Sequence, residues 1–414
     1  MTELTFNGGN LGLQVGNQQF TMRDITFNNC VTAISQLWSW GWLYQGLKIN
    51  NCKTGIDISA GGRGAQNVGS VTIIDSSITN TPVGVVTAFD SGSLPATAGS
   101  LILENVAISN VGTSVQQAGG GTILGGTSGS TTITAWGQGH QYTPTGPRRF
   151  QGPLTPVRRP ASLLSGSKYY QRSKPQYRAL ALSEFRSVRS GGATGNGRTD
   201  DTTALQNVIN SATSAGQVIF IDSGTYRITR TLLIPAGARI VGEAYPIILS
   251  SGAFFNDMNN PKPVVKVGNA GSIGRVEWTD TIVSTQGTQA GAIGIEWNLS
   301  NSGTPSGLWD VHVRIGGFAG SNLQLSQCAK GGADVNRACI GAYMLMHVTR
   351  SASNLYMENV WLWTADHDLE IEANNGQITV YSGRGLYIES TAGNFWLCVC
   401  PFLVISFIHL GLSY

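Results

Sequence analysis

The first 120 residues alternate apolar and polar positions in short runs, and the runs lead into asparagines. Four segments share one register, with the asparagine five residues before a β-branched residue: FNNCVTAI, INNCKTGI, ITNTPVGV and ISNVGTSV. Their spacings are 22, 29 and 30 residues, and the asparagines are Asn29, Asn51, Asn80 and Asn110. A constant motif at variable spacing is typical of stacked coils whose loops vary at one corner. The pattern therefore predicts an all-β protein with a parallel β-helix in residues 1–140.

Asparagine suits the corner of such a coil because it tolerates left-handed backbone angles. Its side-chain amide can also hydrogen-bond the asparagine of the next coil, which builds a ladder. A leucine-rich repeat has a tighter period and more leucine, and a β-sandwich shows hairpin turns instead of one repeated corner. Both alternatives are disfavoured.

The amino-acid composition changes between residues 141 and 180, where prolines and arginine pairs replace the alternating runs. This composition predicts a linker that lies on a surface. The pairs Arg148-Arg149 and Arg158-Arg159 are compatible with an anionic partner, but a solvated linker is the simpler interpretation.

A second β-helix is predicted for residues 181–397. It opens on a glycine-rich turn followed by Asp200 and Asp201, which are better explained as helix N-caps than as catalysts. Gly216 is the expected end of that helix. The apolar positions at helical spacing are Leu205, Val208, Ile209 and Ala212. One short helix at this point would cap the open end of the coil stack.

Residues 398–414 do not fit the pattern, since CVCPFLVISFIHLGLSY has no asparagine corner, no alternation and no charged residue. The segment is too short for a membrane span, and Pro401 interrupts it. A read-through of non-coding sequence is favoured over a buried strand.

Charged residues make up 12% of the chain and the net charge is +3, which gives no basis for nucleic-acid binding. The six cysteines contain no CxxC pair, which argues against a metal site. Cys328 and Cys339 flank a short loop and are predicted to form a disulfide, the alternative being two buried thiols. Cys30 and Cys52 stand at equivalent corners, either bonded or stacked. Together with the Asn298-Leu-Ser sequon, the cysteines favour a secreted protein, although no signal peptide opens the chain.

The segment GATGNGRTDDTTALQNVINSATSAGQVIFIDSGTYRIT resembles the pattern that opens the β-helix of the pectate-lyase-like superfamily. Three further segments resemble glycoside hydrolase family 55, the fungal-type exo-β-1,3-glucanases: QQFTMRDITFNNC with LWSWGW, WDVHVRIGGFAGSNLQ and LYMENVWLWTADHDLE. The resemblance covers roughly residues 1–397. It implies two tandem right-handed parallel β-helices side by side with a substrate pocket between them. It also implies inverting hydrolysis of β-1,3-glucan from the non-reducing end.

Two departures from the family matter for this expectation. The family has more of the first β-helix before TELTFNGGN, and its general-acid glutamate lies beyond the GRGLYIES segment, where this chain has the apolar tail. No residue is therefore expected to take the catalytic role. The chain is interpreted as a fragment, truncated at both ends, of an enzyme whose activity is impaired.

Candidate substrate-binding residues come from the densest set of carboxylates near aromatics, MENVWLWTADHDLE. Trp361 and Trp363 face the same side of a strand because they are two residues apart. Asp366 and Asp368 do so as well if the chain stays extended, with His367 between them. Flat sugar faces stack on such aromatic rings; the alternative is that both tryptophans are core residues.

In the first β-helix, Trp38, Trp40 and Trp42 alternate and are predicted to share one face. That face is either an exposed binding patch or a buried stripe. Gln18 and Gln19 match a family segment near the pocket, where an amide can orient a water or a sugar hydroxyl.

Asp310 and Arg314 stand four residues apart in WDVHVRIGG. They are predicted to pair with each other on one face of a strand rather than to bind substrate.

Two classes of function remain open. The first is an exo-β-1,3-glucanase, or a remnant of one, that acts on β-1,3-glucan without a cofactor. The second is a non-hydrolytic β-helix protein, either a glycan-binding module or a polysaccharide lyase. A lyase needs clustered acidic Ca²⁺ ligands and a proton-abstracting base, and no such cluster stands out, so the lyase is disfavoured. We expect a monomer that binds neither nucleic acid nor membrane.

Overall fold

Parallel strands stacked at successive turns of the chain dominate the computed structural model, which describes residues 1–331 and 334–398. The predicted all-β fold with parallel β-helices is confirmed. The chain divides into two units, Met1–Ser173 and Lys174–Tyr414. The apolar tail predicted to be a read-through, residues 398–414, lies outside the described residues except for Cys398.

Short strands build the first unit, with a 3-10 helix at Ala161–Leu163. The strands are β1 (Thr5–Asn7), β2 (Leu11–Gly16), β3 (Gln19–Arg23), β4 (Thr26–Asn28), β5 (Thr32–Gln45), β6 (Lys48–Asn50), β7 (Thr54–Asp57), β8 (Val68–Ile74), β9 (Ser77–Thr79), β10 (Val83–Thr87), β11 (Ser100–Gln117), β12 (Thr122–Thr143), β13 (Gly146–Pro153), β14 (Leu164–Ser165) and β15 (Lys168–Tyr169).

Each coil of the first unit repeats its strands in register with the coils before and after it. Along β1, β4, β6, β9 and β11, the central residue of each strand points inward and the flanking residues point outward. The inward stack buries Phe27, Ile49, Ile78 and Ile108. Such continuous apolar stacks supply most of the folding free energy, at roughly 25 cal/mol per Å² of apolar surface removed from water.

A left-handed asparagine turns the chain at the corner predicted from the repeat. The backbone φ is +59° at Asn29, +54° at Asn51, +48° at Asn80 and +51° at Asn110. The Asn80 amide donates to Oδ1 of Asn51 at 3.0 Å, and the Asn110 amide donates to Oδ1 of Asn80 at 3.0 Å. The predicted corner and its hydrogen-bonded ladder are both confirmed.

A second left-handed corner of the first unit carries acidic residues and holds the segment predicted as a linker. Asp24, Asp75 and Asn105 have φ of +55°, +53° and +53°. The guanidinium of Arg159 bonds Oδ1 of Asp75 at 2.6 Å and Oε1 of Glu104 at 2.7 Å. The second arginine pair is therefore not simply solvated. Asp75 is fully buried and its carboxylate needs a cation, which the linker supplies.

The start of the predicted linker belongs to a set of antiparallel strands. β11 pairs with β12, and β12 runs on to Thr143 before β13 returns beside it. Prolines occur in β13 because it lies at the edge of the sheet, where a missing N–H breaks no inner ladder. Composition alone does not distinguish such an edge strand from a loose linker.

The second unit contains α1 (Thr202–Ser214) and 3-10 helices at Leu182–Glu184, Ala253–Phe255, Arg337–Cys339 and Ile371–Ala373. Its strands are β16 (Phe185–Ser187), β17 (Asn196–Asp200), β18 (Val218–Ile221), β19 (Thr225–Ile228), β20 (Leu232–Ile234), β21 (Arg239–Gly242), β22 (Ile247–Ser250), β23 (Lys262–Val267), β24 (Glu277–Thr285), β25 (Ala292–Trp297), β26 (Ser306–Ile315), β27 (Ile340–Ala342), β28 (Met344–Val348), β29 (Leu355–Glu358), β30 (Leu362–Thr364), β31 (Tyr381–Ser382), β32 (Leu386–Ile388) and β33 (Phe395–Cys398).

Helix α1 begins as the sequence predicts. The carboxylates of Asp200 and Asp201 accept hydrogen bonds from different backbone groups at its start. Asp200 Oδ1 accepts the N–H of Thr202 at 3.1 Å and so caps the first turn. Asp201 occupies the N-cap position, but its carboxylate accepts the N–H groups of Thr194 and Gly195 in the glycine-rich turn. The glycine-rich segment is thus tied to the helix start.

Helix α1 ends at Gly216, whose φ is +66°. The N–H of Gly216 donates to the carbonyl of Thr213, and the N–H of Gln217 donates to that of Ala212, which is a Schellman motif. The buried face of α1 is the predicted one: Leu205, Val208, Ile209 and Ala212. No helix among the described residues is long and apolar enough to cross a membrane.

Coils of the second unit turn at a left-handed corner inside β24 and β26. Asp280, Asp310 and Asn359 have φ of +56°, +55° and +52°, and they occupy equivalent places in successive coils. The Lys174 ammonium bonds the carboxylates of both Asp280 and Asp310, the latter at 2.8 Å. The backbone turn at this corner sets the direction of the strand residues that follow it in each coil.

Replacing Asn80 tests the asparagine corner. In Asn80→Ala the ladder bonds are lost and a side chain without a local hydrogen bond must hold a left-handed φ. We expect the free energy of unfolding to fall by about 2–3 kcal/mol. Asn80→Gly loses the same bonds without the steric cost and should retain about 1 kcal/mol more stability than the alanine variant. Urea unfolding measures both, and equal losses would contradict a strained corner.

Candidate functional site

Two rows of side chains lie on the outer face of the second unit, just after its left-handed corner. Strand register places His312 beside Trp361 and Arg314 beside Trp363. Val313 and the other residues that alternate with them are buried in the core. The two-residue period of a strand therefore turns both rows outward. We call Tyr245, His312 and Trp361 the aromatic row, and Arg314, Trp363 and His367 the charged row.

The aromatic row is a continuous stack. The ring centroids of Tyr245 and His312 are 5.3 Å apart with planes at 25°, and those of His312 and Trp361 are 5.5 Å apart at 58°. The backbone N–H of Trp361 donates to Nδ1 of His312 at 3.2 Å. Because Nδ1 accepts, a neutral His312 carries its proton on Nε2.

Burial keeps His312, in the middle of the aromatic row, uncharged at neutral pH. Desolvation lowers the pKa of His312 to about 4, with Arg314 and Lys174 acting in the same direction and Asp310 opposing them. Desolvation, reinforced by the charges of Asp310 and Asp280, raises the pKa of Tyr245. His312 is therefore a neutral imidazole with a fixed tautomer.

The charged row places ionisable groups against aromatic rings. The Arg314 guanidinium lies 4.3 Å from the ring centre of Phe318, and desolvation by burial lowers the pKa of Arg314. The rings of Trp363 and His367 are 5.3 Å apart. His367 Nδ1 lies 2.7 Å from Oδ1 of Asp366, whose side chain is 69% exposed. This row can offer hydrogen bonds to a ligand beside an apolar ring.

The predicted pair Trp361 and Trp363 lies on this outer face. Both tryptophans are half-buried, and Leu362 between them points into the core. Trp363 also packs against the hydrophobic core of the second unit, so the sequence alternative of a core tryptophan stays open for it.

The prediction that Asp366 and Asp368 face the same way is wrong. Asp368 is 2% exposed, and its carboxylate accepts the N–H groups of Leu325 at 2.9 Å and Glu370 at 3.1 Å. Desolvation raises the pKa of Asp368, but these hydrogen bonds outweigh it and the pKa is lowered. The chain does not stay extended here, because β30 ends and His367 forms an antiparallel bridge to a later segment. Asp368 anchors a loop rather than facing a ligand.

The prediction that Trp38, Trp40 and Trp42 share one face is also wrong. Trp38 and Trp40 are 40% and 57% exposed, whereas Trp42 is 5% exposed and belongs to the core. The N–H groups of Trp40 and Gly41 both donate to the carbonyl of Gln18, at 2.7 and 3.0 Å. Alternation therefore fails between Trp40 and Trp42, where the neighbouring coil passes from β2 to β3, although the register is the same on either side of this point.

The two predicted amides lie next to these tryptophans in the adjacent coil of the first unit. Gln18 is exposed and bonded through its carbonyl to Trp40, and Gln19 is partly buried opposite Gly41. Gln18 and Trp40 are therefore neighbours on the outer face of the first unit.

The predicted pairing of Asp310 with Arg314 is wrong. The left-handed φ of Asp310 breaks the strand alternation, so the two side chains do not share a face. Asp310 bonds Lys174 and the Asn359 amide instead, while Arg314 lies over Phe318.

Cys328 and Cys339 are joined by a disulfide, and Cys30 and Cys52 are free, buried thiols at successive corners. Each free thiol donates to the carbonyl two residues before it, at 3.7 and 3.5 Å. Asn298 of the sequon is 3% exposed, and its amide donates to two acceptors. The sequon is therefore not accessible on the folded chain.

Sequence comparison relates both units to known proteins. A family model described as rhamnogalacturonase A/epimerase, pectate lyase-like, matches residues 1–57 and 185–309. A glucan 1,3-beta-glucosidase of Cochliobolus carbonum is 46% identical over 400 residues, which are 96% of this chain and 50% of that protein. A probable glucan endo-1,3-beta-glucosidase of Arthroderma benhamiae is 38% identical over 96% of this chain and 56% of its own length. The chain is therefore similar to glucan 1,3-beta-glucosidases over nearly its whole length.

The chain spans about half the length of these glucosidase relatives. A solved structure of a sacteLam55A variant from Streptomyces sp. SirexAA-E in complex with glucose has 16% sequence identity and a TM-score of 0.34. It matches 88% of this chain and 58% of that one.

Within residues 1–331 and 334–398, no group of three or more His, Cys, Asp or Glu side chains is placed to hold a metal ion.

Sequence reasoning misses Tyr245 and His312 as members of the site. His312 stands between Val311 and Val313, which are both buried, so the alternation in WDVHVRIGG already marks it as outward. Tyr245 has a φ of +59° and lies between strands, where no periodic signal marks it.

His312 makes the free energy of unfolding of this protein depend on pH. The unfolded imidazole takes up a proton near pH 6.5, whereas the folded one does so near about 4. Between these values the unfolded state binds more protons, so acidification from pH 7 to pH 4 lowers the free energy of unfolding. We expect His312 to account for roughly 2 kcal/mol of that loss. Urea unfolding at both pH values should show a smaller loss in His312→Phe, and an unchanged loss would contradict the assignment.

Proposed function

We propose that this chain forms the glucan-binding surface of a β-1,3-glucan hydrolase. The observation that carries the proposal is its 46% identity to a glucan 1,3-beta-glucosidase over 96% of the chain. The second relative, whose name also specifies a 1,3-β-glucan substrate, supports the same class. The fold alone does not identify the substrate or the reaction, because proteins with β-helices have many different activities.

The rows on the second unit support glucan binding through their chemistry. Ligand sites for uncharged, polar molecules combine aromatic walls with a few placed hydrogen-bonding groups. Trp361 and Trp363 offer ring faces for the apolar sides of sugar rings. Arg314, His367 and Asp366 lie beside them and offer donors and an acceptor for hydroxyl groups.

The resemblance to family 55 supports attack from the non-reducing end with inversion. Inversion needs a protonated carboxyl group and a general base about 6.5–9.5 Å apart. In the described part of the site, Asp366 is engaged with His367, and the lowered pKa of Asp368 is the opposite of what a general acid requires. We therefore propose that the chain by itself hydrolyses β-1,3-glucan poorly and retains binding.

A secreted location is part of this proposal. The Cys328–Cys339 disulfide supports it, because structural disulfides persist in oxidising compartments. Extracellular glucan is also where such a hydrolase meets its substrate.

The second candidate is a glycan-binding module with no hydrolytic role. The two rows favour binding as strongly as they favour hydrolysis, since Asp366 is engaged with His367 and the pKa of Asp368 is lowered. The two candidates differ in whether any glycosidic bond is cut.

Incubation with laminarin separates the two candidates. We expect the purified chain to sediment with insoluble β-1,3-glucan and to release no glucose from laminarin in a coupled oxidase assay. Clear glucose release would overturn the proposed impairment. Failure to sediment with the glucan would overturn the glucan-binding proposal itself.

Trp363→Ala tests the charged row as a binding surface. Loss of the indole face should weaken the affinity for laminarihexaose by about tenfold, or ~1.4 kcal/mol. Tyr142→Ala is the matched control, because Tyr142 is 72% exposed on the antiparallel strands of the first unit. Isothermal titration calorimetry measures both, and equal affinities of the two variants would count against the charged row.

A further inference from the structure

Two nitrogen donors on the outer face of β26 have no acceptor within the described chain. His312 uses Nδ1 to accept from Trp361, and no described residue accepts from its Nε2–H. Nε of Arg314 is buried without a hydrogen-bond partner, and its guanidinium lies over Phe318. The two residues are two positions apart on one strand, so their side chains project from the same face.

The acidic neighbours of this pair are engaged elsewhere. Asp310 bonds Lys174 and the Asn359 amide. Glu370 Oε1 accepts the backbone N–H of Ala319. Neither carboxylate therefore accepts a hydrogen bond from His312 or Arg314, although the charge of Glu370 partly offsets the desolvation that lowers the pKa of Arg314.

Leaving a buried donor unpaired is costly. A buried donor without an acceptor, such as Nε of Arg314, destabilises the fold by about 1–3 kcal/mol, and more when it is charged. The other donors of the pair, Nε2 of His312 and the terminal guanidinium nitrogens of Arg314, are not fully buried and are open to a ligand. A ligand that brings its own acceptors pairs these accessible donors.

We infer that His312 and Arg314 form a donor pair that binds hydroxyl oxygens of a single glucose unit, between the ring walls of Trp361 and Trp363. The inference rests on the proposed function, and it names the hydrogen-bonding groups of that site. Two residues along a strand span about 6.6 Å, which suits oxygens at two places on one pyranose ring.

A neutral sugar fits this pair better than an anion does. One of the two donors, His312, is an uncharged imidazole whose tautomer is fixed by the Trp361 N–H. The carboxylate of Asp366 lies two residues after β30, the strand next to β26, and would repel a negative ligand. Aromatic walls with one neutral and one charged donor match hydroxyl groups, each of which offers acceptor lone pairs.

Two substitutions of His312 separate the distal donor from the rest of the side chain. In His312→Asn the amide oxygen can replace Nδ1 as acceptor for the Trp361 N–H, but nothing reaches the position of Nε2. In His312→Gln the longer amide places a donor near that position. We expect His312→Asn to weaken laminarihexaose binding by about five- to tenfold and His312→Gln to stay within about twofold of wild type.

Calorimetric titration of the full chain with laminarihexaose measures these affinities. Arg314→Gln should weaken binding as His312→Asn does, and His347→Asn on β28 is the control for a histidine of a different sheet. If wild type binds and both His312 variants bind equally well, the donor pair is overturned while the proposed function stands. If wild type does not bind, the proposed function fails first and the donor pair with it.

Nuclear magnetic resonance of the wild-type chain tests the donor pair even if a variant fails to fold. In a chain labelled with ¹⁵N-histidine, the Nε2–H resonance of His312 should shift on addition of laminarihexaose. The His347 resonance should not shift. An unmoved His312 signal in a sample that calorimetry shows to be saturated would overturn the donor pair.

Discussion

The left-handed corner is the constraint on which both units depend. Each coil must change direction at the same place as its neighbours, or the strands on either side lose their register. At Asn51 and Asn80 a positive φ makes that turn, and the side-chain amides then join one coil to the next. Asparagine and aspartate meet both demands, because they tolerate left-handed angles and carry a short polar side chain.

The same corner explains why buried charges occur in a chain that has few charged residues. Asp75 and Asp310 stand at corners for conformational reasons, and their carboxylates then need cations. Arg159 and Lys174 supply them, one for each unit, from the segment between the two coil stacks. Each cation bonds two carboxylates, so ion pairs hold this segment at both corners.

The candidate site follows from the period of the strands that leave the second corner. Inward residues such as Val313 complete the core, and the residues between them are turned outward into two rows. Stacking across coils then brings together aromatic rings that are distant in sequence, as with Tyr245 and Trp361 on either side of His312. Burial within that stack keeps His312 neutral and leaves its outer nitrogen as a donor.

The sequence by itself determined the β-helix fold, the asparagine corners and the course of α1. Each of these depends on local backbone preference or on strict alternation, and both are visible in a single chain. Only the tertiary structure decided where alternation fails: between Trp40 and Trp42, at the left-handed Asp310, and at the bend before Asp368. A corner changes the direction of the side chains after it, and its position depends on hydrogen bonds to a neighbouring coil. That contact lies 20 or more residues away in sequence, as between Gln18 and Trp40, and no local pattern records it.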